Sequence, residues 1–203
     1  FADEHGKKSY QWVETDDVMA MAYDYPIPGY DTGTVNNMRL WAAKASRDFD
    51  LKYFNEGNYI KAVEDKNESE NLSKVLYPND TTAMGRELRL KQQYFFVSAS
   101  LQDLIARHLA EGRALDQLGQ GNAIHLNDTH PALAPAELMR LLIDVHGVNW
   151  NDAWAITGRS CGESLDGPVA TVAPARKWLS VSTATVSLVH RREVCFLPAR
   201  LKK

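Results

Sequence analysis

The spacing of hydrophobic and polar residues predicts two short strands near the start of the chain. Residues 10–13 and 18–22 are short apolar runs, separated by four polar turn formers, so a hairpin or a pair of sheet-edge strands is expected. In residues 24–30, Pro26 and Pro28 remove backbone donors and push the residues before them into extended geometry. We therefore expect residues 24–30 to form a stiff loop.

A helix with an interrupted apolar face is predicted between residues 55 and 74. Tyr59, Ile60 and Val63 have helical spacing, whereas residues 64–70 are almost wholly charged or polar. A helix that loses its apolar face midway must project from the body of the protein or meet a polar partner.

A long helix is predicted from Glu87 to Ala110. Residues 79–82 offer several capping side chains ahead of it, and Gly112 is its expected end. The apolar positions that mark its buried stripe are Leu88, Tyr94, Phe95, Leu101, Leu104, Ile105 and Leu109.

A strand, a loop and a helix are predicted to follow one another from residue 123. Residues 123–126 form the strand, and residues 127–131 form a polar loop before a helix with Pro135 in its first turn and Gly147 after its end. Asn151 is expected to cap one more helix. Strands that alternate with helices favour an α/β domain with a partly parallel sheet.

Composition narrows the class of protein. The 203 residues are 44% hydrophobic and 24% charged with a net charge of −3, so we expect neither a nucleic-acid partner nor a membrane partner, which usually require a clustered basic surface. No run reaches the ~20 apolar residues of a membrane span. Cys161 and Cys195 have no zinc-site spacing, and the first residues do not form a signal peptide, so a cytoplasmic location is expected.

The net charge and the predicted secondary structure both change near residue 160. Residues 160–203 have a net charge of +4, against −7 for residues 1–159, and residues 179–185 are β-prone. This change predicts one unit in residues 1–160 and a divergent tail in residues 161–203.

Two polar loops are candidates for chemistry. Asp128 and His130 follow the predicted strand, at the place where open α/β sheets bind ligands. Asn79, Asp80 and Thr81 stand at the mouth of the long helix. The local alternatives are that Asp128 caps a turn, that His130 is a structural hydrogen-bonder and that residues 79–81 only cap the helix.

Several segments of the chain closely resemble the α-glucan phosphorylases, which act on glycogen, starch or maltodextrin. The resemblance covers roughly residues 8–161. The segments that carry it are residues 23–30 (YDYPIPGY), 35–44 (VNNMRLWAAK), 75–80 (VLYPND), 87–95 (ELRLKQQYF) and 126–134 (LNDTHPALA), followed by residues 137–140 (ELMR).

The resemblance implies a parent enzyme that transfers a terminal α-1,4-linked glucosyl unit to inorganic phosphate, giving glucose 1-phosphate with retention of configuration. Its cofactor would be pyridoxal phosphate, acting through the phosphate group and bound to a lysine that is not in this chain. The implied fold has two Rossmann-like domains of the GT-B type facing a cleft, of which this chain would supply an incomplete inner part of the first. The isolated chain is then expected to be inactive.

The resemblance also assigns roles to the two loops. Asn79, Asp80 and Thr81 correspond to the mobile loop that gates the catalytic cleft, with Thr81 in place of an Asn found in some members. Asp128 and His130 correspond to a pair that lines the glucosyl site. Both assignments require the two loops to meet at one cavity that is large enough for a sugar.

Two further positions follow from the resemblance. The helix from Asn58 to Lys74 corresponds to a projecting helix that packs against a second subunit, so a homodimer is expected. After Cys161 the family continues with Thr-Asn-His-Thr, whose histidine contacts the sugar, but residues 162–167 read GESLDG. The alternative hypothesis is a catalytically inert dimerisation or carbohydrate-binding module on the same scaffold.

Overall fold

The computed structural model describes residues 12–13, 15–163, 177–181, 186–188 and 196–202, and from residue 162 onward it describes the backbone alone. Of the predicted strand at residues 10–13, only Trp12 and Val13 are described, and they do not form a strand. Cys195, residues 164–167 and residues 182–185 lie outside the described residues.

Seven described strands form one mixed sheet. They are β1 (Thr15–Pro28), β2 (Val35–Ala45), β3 (Asn122–Leu126), β4 (Cys161–Glu163), β5 (Lys177–Val181), β6 (Val186–Leu188) and β7 (Phe196–Lys202). Their order in the sheet is β4-β3-β5-β6-β2-β1-β7. Strand β3 runs parallel to β4 and β5, and the other pairs are antiparallel. The prediction of an α/β chain with a partly parallel sheet is confirmed.

The β1–β2 hairpin contradicts the loop predicted at residues 24–30. Strand β1 continues to Pro28 and pairs with β2 along the way, opposite Val35 at its end. The pairing of β1 with β7 stops at Met21. Among the described residues, the part of β1 that contains Pro26 and Pro28 therefore pairs with β2 alone. Proline is tolerated at such an edge, because the missing N–H leaves the ladder intact. The turn predicted between residues 13 and 18 is also wrong, because β1 begins at Thr15.

Seven described α-helices accompany the sheet. They are α1 (Leu51–Asn55), α2 (Tyr59–Ala62), α3 (Glu64–Lys74), α4 (Ala83–Ala110), α5 (Leu118–Gly121), α6 (Ala134–Arg140) and α7 (Trp150–Ser160). A 3-10 turn, His130–Leu133, leads into α6, and a π-helical turn, Leu141–Val145, continues it.

Helix α4 forms as predicted and begins four residues earlier. The Thr82 hydroxyl accepts the N–H of Gly85 at 3.0 Å and caps it. After its last residues, Gly112 adopts a φ of +73°, which favours glycine. Most of the predicted stripe is buried, including Phe95, Leu101, Leu104 and Ile105, while Leu88 and Tyr94 are partly buried. Leu109 is exposed, so the prediction that it belongs to the buried stripe is wrong.

The predicted helix from residue 55 to residue 74 is divided in two. Val63 ends α2 and precedes α3, and Tyr59 and Ile60 are 61% and 86% exposed. The predicted apolar face is therefore wrong, because it assumed one continuous helical period. Helix α3 instead buries Leu72, and its Ser73 hydroxyl accepts the N–H of Ala43 from β2 at 2.8 Å.

A buried arginine links the hairpin to α4. Nε and Nη2 of Arg39 donate to the Asp24 carboxylate at 2.7 and 2.6 Å, and Nη1 donates to the Asp103 carboxylate at 2.8 Å. Burial alone would lower the pKa of Arg39, but the hydrogen bond to Asp24 and the two negative charges outweigh it and raise that pKa. Burial raises the pKa of Asp103 to about 6, against the opposing charge of Arg39.

Helix α7 begins at Trp150, and its cap lies two residues before the predicted one. The Asn149 side chain accepts the N–H of Asp152 at 3.0 Å, so Asn149 rather than Asn151 is the cap. Asn149 can do so because it has the extended backbone that a cap requires.

Candidate functional site

The loop at residues 79–82 lies tightly against the first turn of α4. The Asn79 side chain accepts the N–H of Thr81 at 2.8 Å, which closes a local turn. A Cβ atom on Gly85 would lie 2.0 Å from the backbone oxygen of Asn79. Only glycine therefore permits this approach, and Gly85 fixes the position of the loop on the helix.

Two arginines from α4 hold the same loop. Arg89 donates to the Asp80 carboxylate at 3.0 Å. Arg86 donates to the backbone oxygens of Asp80 and Thr81, both at 3.3 Å. Both arginines therefore bind the loop and hold it against α4.

A buried glutamine anchors the segment that leads into the loop. The Gln92 amide donates to the backbone oxygens of Leu72 and Val75 at 2.7 and 2.9 Å, and its oxygen accepts the N–H of Tyr77 at 3.1 Å. Tyr77 has a φ of +55°, which is uncommon for a bulky residue. The three hydrogen bonds of Gln92 thus hold residues 72–77 in a conformation that the local sequence does not favour.

Tyr77 brings the two candidate loops together. Its ring lies 4.7 Å from the ring of His130, measured between centroids, and the Arg89 guanidinium carbon is 6.0 Å from the same tyrosine ring. Gln93, next to the anchoring glutamine, lies 3.5 Å from Nδ1 of His130. His130 is largely buried. The loop at residues 79–82 and the loop at residues 127–131 are therefore linked through Arg89 and Tyr77.

The turn after β3 presents Asp128 to solvent. Asp128 has a φ of +73°, and its carboxylate accepts the N–H and the hydroxyl of Thr129. These two hydrogen bonds, with a smaller contribution from the nearby His130, lower the pKa of Asp128. The second carboxylate oxygen lies 3.8 Å from Nε2 of His130. Asp128 thus caps its own turn, as the local alternative holds, and one oxygen still faces His130.

The fold places this turn at the carboxyl end of the parallel part of the sheet. Strand β3 lies between β4 and β5 and runs parallel to both, and in open α/β sheets this end carries the ligand site. Ile124 is buried, so β3 has little freedom to shift, and the loop that follows it is fixed at its start.

A buried carboxylate joins α6 to α4 behind the turn. Glu137 accepts the Ser98 hydroxyl at 2.6 Å and the Tyr94 hydroxyl at 3.3 Å, and Arg140 donates two hydrogen bonds to it at 2.7 and 2.8 Å. Burial, followed by the charge of Glu137, raises the pKa of Tyr94 to about 12. This network sets the distance between α4 and the segment that carries His130.

The arrangement suits recognition of a neutral polyhydroxyl ligand. Asp80 and Asp128 supply carboxylate acceptors, and His130 supplies a ring nitrogen that can donate or accept. Tyr77 adds an aromatic ring that is 43% exposed. A cavity of about 500 Å³ lies elsewhere, beside Asp17, Asp65 and Leu72, and it shares none of these groups.

Tyr77, Gln92 and Gln93 are the residues of this site that the sequence analysis did not single out. All three stand within segments that carry the family resemblance. Membership of those segments was the only indication in the sequence. The partners of these residues lie 15 or 37 positions away in the chain, and such contacts leave no local sequence pattern.

Within the described residues, no group of three His, Cys, Asp or Glu side chains is arranged to hold a metal ion. No helix in that part of the chain combines the length and apolar character needed to cross a bilayer.

Comparison with known proteins agrees with the resemblance. A family model described as carbohydrate phosphorylase matches residues 1–164. Glycogen phosphorylase from Chlamydia pneumoniae is 51% identical over 157 residues, which are 77% of this chain and 19% of that protein. The Synechocystis enzyme is 50% identical over 80% of this chain, and the brain form from Bos taurus is 51% identical over 78% of it. The chain spans about a fifth of the length of these relatives, and it belongs to the carbohydrate phosphorylase family.

Proposed function

We propose that this chain contributes one side of the glucosyl site of an α-glucan phosphorylase. The parent enzyme would transfer a terminal α-1,4-linked glucosyl unit from a glucan to inorganic phosphate and release glucose 1-phosphate. The observation that supports this proposal best is the contact between Tyr77 and His130, since it joins the two loops to which the resemblance gives related roles.

Each loop has a distinct part in the proposal. Asp128 and His130 would hold hydroxyl groups of the glucosyl unit, and the hydrogen bonds from Thr129, which lower the pKa of Asp128, favour its ionised form. Asn79, Asp80 and Thr81 would gate the entrance, and the Arg89 contact with Asp80 would hold this gate in the conformation of the structure. Thr81 replaces the Asn of some family members, so the gate is altered in detail.

Pyridoxal phosphate is proposed for the parent enzyme, with its lysine in a part that this chain does not span. Among the lysines with described side chains, Lys44, Lys52, Lys61 and Lys74 are exposed. The other two pair with carboxylates, Lys66 with Asp48 and Lys91 with Glu87. These residues do not fit a cofactor site, and the roles given above to the chain's own residues do not depend on the cofactor.

The remaining parts of the proposal concern the whole protein. We propose that the mixed sheet is an incomplete part of a GT-B type Rossmann-like domain, that residues 1–160 form this part and that residues 161–203 are a divergent tail. A cytoplasmic location and a homodimer through the segment from Asn58 to Lys74 belong to the same proposal. Helix α2 leaves Tyr59 and Ile60 exposed, which is compatible with burial by a second subunit.

A chimera tests the proposed function. Residues 15–160 replace the aligned segment of the Chlamydia pneumoniae glycogen phosphorylase, and release of glucose 1-phosphate from glycogen and phosphate is measured. We expect an active chimera. Asp128→Asn should lower its kcat/KM about 10- to 100-fold, because a hydrogen bond to a charged group contributes about 1.5–3 kcal/mol.

The control for the chimera is Asp116→Asn, which changes an exposed carboxylate in a 3-10 turn away from both loops. It should leave kcat/KM unchanged. A chimera with native circular dichroism and no phosphorolysis, or equal effects of the two substitutions, would contradict the proposal.

The inert-module alternative is separated by an assay of the chain alone. Glucan, phosphate and pyridoxal phosphate are added, and no glucose 1-phosphate is expected, because the chain spans about a fifth of its relatives. An inactive chimera, combined with saturable binding of maltoheptaose by the chain, would favour the carbohydrate-binding module.

A further inference from the structure

We infer that Tyr77 is a positioning residue that couples the loop at residues 79–82 to His130. The importance of this coupling for glucan binding rests on the proposed function, but the coupling itself is a property of the chain and is tested on the chain alone. Tyr77 precedes the loop at residues 79–82 by two residues and lies 53 residues before His130 in the sequence. Its contact with His130 is therefore made by the fold.

The backbone of Tyr77 is held from within the protein. A φ of +55° is strained for a tyrosine and persists only where the surroundings impose it. Gln92 imposes it, because its side chain binds the N–H of Tyr77 and two backbone oxygens upstream. The consequence is that the Tyr77 ring is aimed at a fixed place beside α4.

The Tyr77 ring contacts His130 of one loop and Arg89, the α4 residue that binds the other loop. Toward the gate, it lies 6.0 Å from the guanidinium carbon of Arg89, whose Nη1 binds Asp80 at 3.0 Å. Toward the turn after β3, it lies 4.7 Å from the His130 ring at an angle of 42°. Asp80, Arg89, Tyr77 and His130 therefore form one continuous series of contacts.

This series makes the two loops dependent on one another. If the loop at residues 79–82 leaves the helix, Arg89 loses Asp80 and is free to move away from the Tyr77 ring. The Tyr77 ring then loses its contact with Arg89 and can change its position relative to the His130 ring. Because coupling between two sites is reciprocal, a ligand that moves His130 must also shift the position of the gate.

The test opens the gate by substitution and reads the result at His130. Gly85→Ala places a methyl group 2.0 Å from the Asn79 backbone oxygen, so the loop must move. Gly158→Ala in α7 is the matched control, because a Cβ there meets nothing within 4 Å. The readout is the chemical shift of the His130 ring C–H groups, recorded on the whole chain with labelled histidine. Gly85→Ala should shift these signals, and Gly158→Ala should not.

The decisive comparison repeats Gly85→Ala in three backgrounds. Tyr77→Phe keeps the ring and should keep the shift at His130. Tyr77→Leu removes the ring, and Arg89→Gln breaks the link to Asp80 while leaving Tyr77 in place. In each of these two backgrounds the shift caused by Gly85→Ala should fall to less than half.

An undiminished shift in the Leu or the Gln background would overturn the inference. If Tyr77→Leu does not fold, the Gln background decides the question by itself. The result is independent of the proposed function, because the chimera measures catalysis and this experiment contains no glucan. If the coupling is observed and the chimera is inactive, only the proposed function is contradicted. If the chimera is active and the coupling is not observed, only this inference is contradicted.

Discussion

Replacement of Gln92 by Leu tests whether a single buried amide holds the loop that carries Tyr77. Leu is close to Gln in volume, so the change leaves little cavity, but it removes all three hydrogen bonds of the side chain. The bond to Leu72 is buried, and the bonds to Val75 and Tyr77 are partly buried.

The expected loss follows from these three contacts. A buried polar group left without a partner costs about 1–3 kcal/mol, and a partly exposed one recovers some of this by binding water, so Gln92→Leu should lower the free energy of unfolding by about 2–4 kcal/mol. The adjacent Gln93→Leu is the control. Its side chain makes one contact of 3.5 Å with His130, so its loss should stay below about 1 kcal/mol.

Urea denaturation of the whole chain, followed by far-ultraviolet circular dichroism, measures both variants. The slopes of the transitions must agree, so that the midpoints report stability alone. Exchange of the Tyr77 amide proton should accelerate in Gln92→Leu and stay unchanged in Gln93→Leu. Equal losses for the two variants, or a protected Tyr77 amide in Gln92→Leu, would refute the anchoring role.

Three further outcomes are expected. Gly85→Ala should destabilise the chain despite the gain of about 1 kcal/mol in helix propensity, whereas Gly158→Ala should stabilise it; urea midpoints that move together would contradict the contact with Asn79. Burial raises the pKa of Asp103 in the folded chain to about 6, so the folded chain binds the carboxyl proton more tightly than the unfolded chain. The free energy of unfolding should therefore fall by up to about 3 kcal/mol between pH 4 and pH 6. If Asp103→Asn has the same dependence of stability on pH as the wild-type chain, this explanation is refuted. Burial raises the pKa of Cys161 to about 11, so its alkylation at pH 8, followed by mass spectrometry, should be about 100-fold slower than in urea; equal rates would place the thiol at the surface.

The features predicted correctly from the sequence are those fixed by neighbouring residues. Thr82 caps α4 and Gly112 follows its end, because both need only local geometry. The partly parallel sheet also follows from a local alternation of elements. The break at Val63 was missed, because an apolar period looks the same whether one helix or two carry it.

The features that sequence analysis missed depend on distant partners. Pro26 and Pro28 fit in β1 because the pairing of that strand with β7 ends at Met21, and nothing near the prolines indicates this. In the candidate site, Asp128 and His130 were candidates because they follow a predicted strand, and the resemblance then gave them a role. Tyr77 was not singled out, because its φ is imposed by Gln92, 15 residues further along the chain.

The contact between the two loops is tested most directly by a nuclear Overhauser measurement on the chain with labelled Tyr and His rings. The centroids of the Tyr77 and His130 rings lie 4.7 Å apart, so a strong cross-peak between their ring protons is expected, and Tyr77→Leu should abolish it. Its absence from the folded wild-type chain would separate the loop at residues 79–82 from the turn after β3 and contradict the proposed glucosyl site.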